Sequence, residues 1–124
     1  MIHMNERIVC LDIGDARIGV AVSDPTGTIA MPVEVIRRIG WGPDTKRIKQ
    51  ICSSYDTDRI LSGLPLNMDG SEGFQAAKVR DFCTQLEKAG LTVFFQVCEG
   101  AFILMIERPG VRLCFDLARR FVQV

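Results

Sequence analysis

The sequence predicts an α/β fold, a mixed β-sheet with flanking helices. Three observations carry that expectation. Short apolar runs crowd residues 6–37 and alternate with period two. The later chain switches between helix-period and strand-like segments. Clusters rich in Gly, Pro, Asn and Asp separate the segments as turns.

The elements follow in order. Ile8, Val9, Cys10 and Leu11 form an apolar run, and Ile18, Val20 and Val22 alternate, so residues 6–13 and 17–23 read as two strands of a hairpin. "Gly14-Asp15-Ala16-Arg17" is the turn between them, and "Asp24-Pro25-Thr26-Gly27" is the next turn. Residues 28–37 read as a third strand, with Pro32 demanding an edge position or a break. "GWGP" at 40–43 punctuates the chain. Ile48, Ile51, Cys52 and Tyr55 then recur at i, i+3, i+4 and i+7, one stripe of a helix, with Lys46, Arg47 and Lys49 off it. Residues 59–65 form a short strand that runs into the loop "LNMDGSEG". Ser71 suits the N-cap of a helix reaching Ala89 and stopped by Gly90. Ala76, Val79, Phe82, Cys83 and Leu86 are its buried face, and residues 91–97 form a last strand.

Length and composition bound the function. A chain of 124 residues, 48% hydrophobic and 24% charged, suits one globular domain over residues 1–124. Fifteen basic residues balance fifteen acidic ones, so net charge points to no class of partner, although local patches such as Arg37, Arg38, Lys46, Arg47 and Lys49 remain able to meet phosphates. The run "AFILMI" is too short to span a membrane, and "MIHMNERIVC" lacks a secretory pattern. Five scattered cysteines without a CxxC, and a single histidine, argue against a zinc site or a disulfide framework and for a reducing cytoplasm.

One residue breaks the apolar pattern. Asp12 sits inside the first strand, where a carboxylate is costly unless it lies at a wet strand end, is paired, or holds a metal. In an α/β sheet the functional crevice opens at the carboxyl ends of the strands. Both Asp12 and the loop after the fourth strand belong there. That loop reads as a turn with a helix cap, or as a substrate loop at a helix N-terminus. Arg17 reads either as a phosphate contact or as a cap of the hairpin.

"LDIGDARIGVAVSDPTG" followed by "GLPLNMDGSEGFQAAKVRDF" resembles the YqgF/RuvX family. Its members are pre-16S rRNA nucleases, also described as Holliday-junction-resolvase-like proteins. The likeness covers residues 7–97, and the second motif is the more specific. It implies a ribonuclease-H-like fold and a cytoplasmic nuclease dependent on Mg²⁺ or Mn²⁺. The implied substrate is structured RNA, an rRNA precursor, or alternatively branched DNA. By the same resemblance Asp12 is the first catalytic acid and a metal ligand. Read from turn and helix-terminus chemistry, Arg17, Asn67, Asp69, Gly70 and Ser71 are the candidate substrate-binding residues.

Residues 96–124 diverge from that pattern. Relatives carry an Asp-Glu-Arg motif after the last strand and an Asp on a C-terminal helix. Here Glu99 and Asp116 stand nearest to those places, without the neighbouring residues, and Pro109 and Gly110 interrupt any helix. Two other function classes therefore stand beside the nuclease. One is a catalytically inactive binder of RNA or of an assembly partner. The other is an ATP-binding domain, because the first motif also resembles the phosphate loop of sugar kinases and actin-like ATPases.

Overall fold

The computed structural model describes residues 7–25, 29–99 and 102–103. They build one mixed sheet. Strand β1 (Val9–Ile13) pairs antiparallel with β2 (Arg17–Ser23), and β2 pairs antiparallel with β3 (Ala30–Arg37). Helix α1 (Trp41–Ser54) leads to β4 (Arg59–Leu66), which lies parallel to β1. Helix α2 (Phe74–Lys88) leads to β5 (Thr92–Glu99), parallel to β4, and the short β6 (Phe102–Ile103) turns back antiparallel to β5. The sheet order is β3-β2-β1-β4-β5-β6.

The expected hairpin is present. Its turn is closed by the Gly14 amide donating to the Arg17 carbonyl at 2.9 Å. Pro32 has the two consequences expected of it. β3 is an edge strand, and its register slips beside Pro32, between the pairs Val20–Glu34 and Ala21–Pro32. The second hairpin is closed at Asp24, whose amide donates to the Ile29 carbonyl while its carboxylate accepts the Ile29 amide, both at 2.8 Å.

Three sequence expectations need correction. "GWGP" does not interrupt the chain before α1. Trp41, Gly42 and Pro43 are its first turn, after Gly40 as N-cap. The first amides of a helix have no intrahelical partner, so a proline there sacrifices no hydrogen bond. Helix α2 begins at Phe74 with Gly73 as N-cap, not at Ser71, because Ser71 is consumed by the loop before it. β5 runs to Glu99 rather than 97, and part of the "AFILMI" run adds β6 beside it, through Cys98–Ile103 and Glu99–Phe102. The C-terminal end of α2 is as expected. Gly90, at φ +98, lets its amide reach the Glu87 carbonyl and the Leu91 amide reach the Leu86 carbonyl.

The core lies between the sheet and the two helices. Val9, Leu11 and Ile13 of β1 and Ile18, Val20 and Val22 of β2 share one face and pack with Ile48, Ile51 and Cys52 of α1 and Val79, Phe82 and Leu86 of α2. Burying a side chain as large as Phe82 or Leu86 contributes about 2–3 kcal/mol. The alternate positions Cys10, Ala21 and Leu61 point the other way and are also buried, so β1 reads as a continuous apolar run interrupted only by Asp12.

A polar brace ties the core's edge together. The Asp44 carboxylate, buried at the start of α1, accepts from the Ile39 amide at 3.2 Å and from the Gly40 amide and Arg38 Nε at 3.4 Å. Arg38 also donates to the Gly14 carbonyl at 2.9 Å and lies over the Phe82 ring at 4.8 Å. One guanidinium thus joins the β1–β2 turn, α1 and α2.

Candidate functional site

Asp12 is the next-to-last residue of β1. Its neighbours Leu11 and Ile13 face the helices, so strand alternation sends Asp12 to the opposite face of the sheet, where it is half-buried. On one side it pairs with Gly19 of β2. On the other, Leu11 pairs with Ser62, which puts Gly63 of β4 at the next level. Both flanking positions therefore lack side chains. Both glycines are buried, and Asp12 between them is half-buried. Across β4, Gly63 pairs with Gln96 of β5, a buried amide on the same face.

Glu99 pairs with Leu66, three residues beyond that level. Two strand spacings and three residues of rise separate its Cα from that of Asp12 by about 14 Å. The backbone of β5 therefore carries Glu99 away from Asp12 rather than beside it. Asp116 lies outside the described residues. A carboxylate such as Asp12 has the hard oxygen donors that Mg²⁺ or Mn²⁺ prefers, and Mg²⁺ keeps several waters of its own. Among the described residues, however, no group of three His, Cys, Asp or Glu is arranged to hold a metal.

The loop after β4 is a tightly hydrogen-bonded unit. The Asn67 amide donates to the Ser71 carbonyl at 2.8 Å, and the Gly70 amide to the Asn67 carbonyl at 2.9 Å, with Gly70 at φ +85. Both the amide and the hydroxyl of Ser71 donate to Asp69 Oδ1, at 2.9 and 2.5 Å, and Asn67 Nδ2 donates to Ser71 Oγ at 3.1 Å. The Ser71 hydroxyl and amide hold the Asp69 carboxyl below the usual carboxylate range. Asn67, Asp69, Gly70 and Ser71 are therefore brought together as expected, and they shape the loop by bonding one another. Glu72 is engaged elsewhere. Its two oxygens accept Arg80 Nε and Nη2 at 2.5 and 2.9 Å, and Arg80 lies over the Phe95 ring at 4.9 Å. That contact lowers the Glu72 pKa and fixes the loop to α2 and β5.

The loop and Asp12 open at the same edge of the sheet, the carboxyl ends of parallel β1 and β4. Lys78, one turn into α2, reaches Asp15 in the turn after Asp12 at 3.3 Å. Arg17, at the start of β2, is exposed on the Asp12 face, since its neighbour Ile18 faces the helices. A depression of about 390 Å³ lined by Ser53, Asp56, Thr57, Asp58 and Arg59 lies at the other end of β4 and is remote from these residues. Arg47 of the sequence's basic run is paired with Glu34, and Arg38 is part of the core brace. Sequence reading missed Gly19, Gly63 and Gln96 as neighbours of Asp12. Only strand register identifies them.

The chain matches a family model, described as RuvX: Holliday junction resolvase, over residues 6–99. It belongs to the RuvX family. Among similar proteins, the "Putative pre-16S rRNA nuclease" of Clostridium tetani (strain Massachusetts / E88) is 50% identical over 82 residues, which is 66% of this chain and 59% of the relative. The protein of that name from Clostridium botulinum (strain Hall / ATCC 3502 / NCTC 13319 / Type A) is 48% identical over 82 residues, 66% of this chain and 60% of the relative. This RuvX-family chain thus spans about three fifths of the length of the curated relatives it matches. The structure titled "T. thermophilus RuvC in complex with Holliday junction substrate" aligns with a TM-score of 0.54 over 94% of each chain at 13% identity. The large terminase nuclease from thermophilic phage G20c aligns with a TM-score of 0.52 at 11% identity, over 93% of this chain and 82% of that one. These likenesses establish the ribonuclease-H-like fold that the resemblance implied.

Proposed function

We propose that the protein is a metal-dependent endonuclease of structured RNA, acting on the 5′ end of an rRNA precursor in ribosome biogenesis. The observation that carries this reading is Asp12, the carboxylate on the central strand, flanked by Gly19 and Gly63 at the carboxyl edge of the sheet. The names of relatives near half identity support RNA as the substrate. The family description supports a second reading, a four-way DNA junction as substrate.

In this reading Asp12 would be a ligand of Mg²⁺ or Mn²⁺ and Asp116 a further acid of the site, whereas Glu99, carried away from Asp12 along β5, would not share that ion. Such an ion, when bound, would supply an activated water and relief of charge on the leaving oxygen. Asp12 contributes an anion fixed on a rigid strand at the carboxyl edge of the sheet. The loop Asn67–Ser71 contributes a pre-shaped rim, already ordered by its own hydrogen bonds, against which the strand is positioned. In this reading the protein works in the cytoplasm, where rRNA precursors are processed. No helix among the described residues is long and apolar enough to cross a membrane.

The test is cleavage of a labelled pre-16S rRNA 5′ leader and of a DNA four-way junction, side by side, with Mg²⁺ and with chelator. Metal-dependent cutting of the RNA, abolished in Asp12→Asn at unchanged melting temperature, is the expected result. Cutting of the junction alone selects the second reading. An Asp12→Asn protein as active as the parent removes the carboxylate from the mechanism.

A further inference from the structure

We propose that Trp41 and Phe74 are stacking platforms for unpaired bases of the bound nucleic acid, on the stretch of strand that leaves Asp12 over the edge of the sheet. The inference rests on the nucleic-acid reading above and deepens it by naming the feature of the substrate that the protein reads. Trp41 is the first residue of α1 and Phe74 the first of α2. The two helices start after β3 and β4, strands that run in the same direction as β1, so both starts lie at the edge where Asp12 opens. The turn that follows Asp12 is tied to each of them. The Arg38 amide, three residues before Trp41, donates to the Ala16 carbonyl at 2.9 Å, and Lys78, one helical turn after Phe74, reaches Asp15 at 3.3 Å. Residues four apart share a helix face, so Phe74 stands beside that ion pair. Trp41 and Phe74 therefore flank the turn at 14–17.

Both rings are held out into water, Phe74 88% exposed and Trp41 48%. Eight large apolar side chains are exposed among the described residues, and four of them, Ile39, Trp41, Met68 and Phe74, gather at this one edge. Scattered exposed apolar residues need no explanation, whereas a gathering beside a candidate site does. The helix starts make no use of the rings. Each N-cap is a glycine without a side-chain cap, and a polar residue would serve as well at the position after it. The glycines do leave the rings open. Trp41 stands between Gly40 and Gly42, where an added Cβ at Gly42 would meet nothing within 4 Å, and Phe74 follows Gly73. The spacing of the rings selects the occupant. Asp15 and Lys78 lie between them, and a protein docked across the edge would desolvate that ion pair while it buried the rings. Bases ask for less, because each stacks on one isolated ring and leaves the polar groups between in water. A duplex hides its base faces, so the rings read unpaired nucleotides.

The experiment uses the full chain in an Asp12→Asn background, so that substrate is bound and not cut. Trp41 is the chain's only tryptophan, so its emission reports directly on one platform. A structured RNA with an unpaired 5′ leader is expected to quench that emission and to bind at least about fivefold more tightly than a blunt duplex of the same stem, the lower end of what one base–aromatic stack is worth. Phe74→Ala is expected to weaken leader binding by about fivefold or more with an unchanged salt slope, because no phosphate contact is lost. Phe74→Tyr, which keeps a ring, should bind like the parent, and Phe74→Leu, which keeps only apolar bulk, should not. Trp41→Ala should lower leader affinity in the same way. Ile29→Ala, at the opposite edge of the sheet, removes another exposed apolar side chain and is the reference with unchanged affinity. Melting curves report whether each variant is folded. If the active protein cuts RNA or junction DNA while Phe74→Ala and Trp41→Ala keep the parent's affinity for the leader, the platforms are refuted and the nuclease reading stands. Phe74→Leu binding like the parent also refutes stacking, as does equal quenching by the blunt duplex. A Trp41 emission shift that tracks protein concentration without RNA assigns the rings to a second copy of the chain and overturns the proposal. If the parent neither binds nor cuts RNA or junction DNA, both readings fall.

Discussion

Three side chains show how burial decides what a residue does. Cys52 and Cys83 are buried against the core, and burial above all pushes each thiol up to about 11 from its ordinary value of 9.0; the nearby Asp58 charge adds to the effect at Cys52. Their thiolates are scarce near neutral pH, so labelling by a thiol reagent at about pH 7.5, followed by peptide mapping, should leave both unmodified until the protein unfolds. The sign of the linkage follows. The folded state holds these protons more tightly than the unfolded one, so the contribution to stability is complete below about pH 9 and declines as pH rises from 9 towards 11. Denaturant titrations across that range should show the decline, and a Cys52→Ala Cys83→Ala protein should show less of it. Arg38 is the third case. Removing it in Arg38→Ala leaves the buried Asp44 with two amides and no counter-charge, which should cost about 2 kcal/mol, or roughly 8 °C in melting temperature. Arg37→Ala, one residue away but exposed, should change stability by less than about 0.5 kcal/mol.

At the scale of elements, the loop between β4 and α2 and the helix that follows it are coupled through one glycine. A Cβ added at Gly73 would lie 2.7 Å from Asn67 Oδ1. Asn67 can swing away, but only by giving up its bond to Ser71. Gly73→Ala should therefore leave α2 intact and lower the melting temperature by no more than a few degrees, while amide exchange at Gly70 and Ser71 becomes faster. Unchanged exchange there would mean that Asn67 does not hold the loop. The two ends of α2 also differ in how legible they are in the sequence. Its C-terminus is plain, because Gly90 is the residue that adopts positive φ without strain. Its N-terminus is easily misplaced by two residues because Ser71 is an equally good N-cap and loop residue, and the nearby Asp69 carboxylate wins it for the loop. The start of helix α1 misleads for a related reason. Gly and Pro mark turns in general and are equally at home in a first helical turn.

For the whole molecule, the question is how firmly the site holds a metal. The described residues place Asp12 at the edge of the sheet and carry the backbone of Glu99 away from it. A site with one firm carboxylate should bind Mg²⁺ or Mn²⁺ weakly. At a metal concentration equal to Kd the stabilisation is only about 0.4 kcal/mol, a shift of roughly one to two degrees. A rise of many degrees at low millimolar Mn²⁺ would instead reveal several acids converging on the ion. The same measurement on Asp12→Asn should abolish whatever shift the parent shows.

The sequence by itself determined the fold class and nearly every element, because period-two and period-3.6 patterns are local and each buried face needs its own run of apolar residues. It also singled out Asp12, since an acid within an apolar strand stands out in the sequence alone. It brought Asn67, Asp69, Gly70 and Ser71 forward as one group, which short-range hydrogen bonds then joined. What surrounds Asp12 was decided only by the tertiary structure. Gly19 and Gly63 become its neighbours through the register of β2 and β4, and register depends on which strands meet rather than on any one of them. The same holds for the five basic residues read as one patch. Arg38 went to the core, Arg47 to Glu34 and Arg37 to the face of Asp12, because alternation along β3 and the packing of α1 send neighbouring side chains in opposite directions.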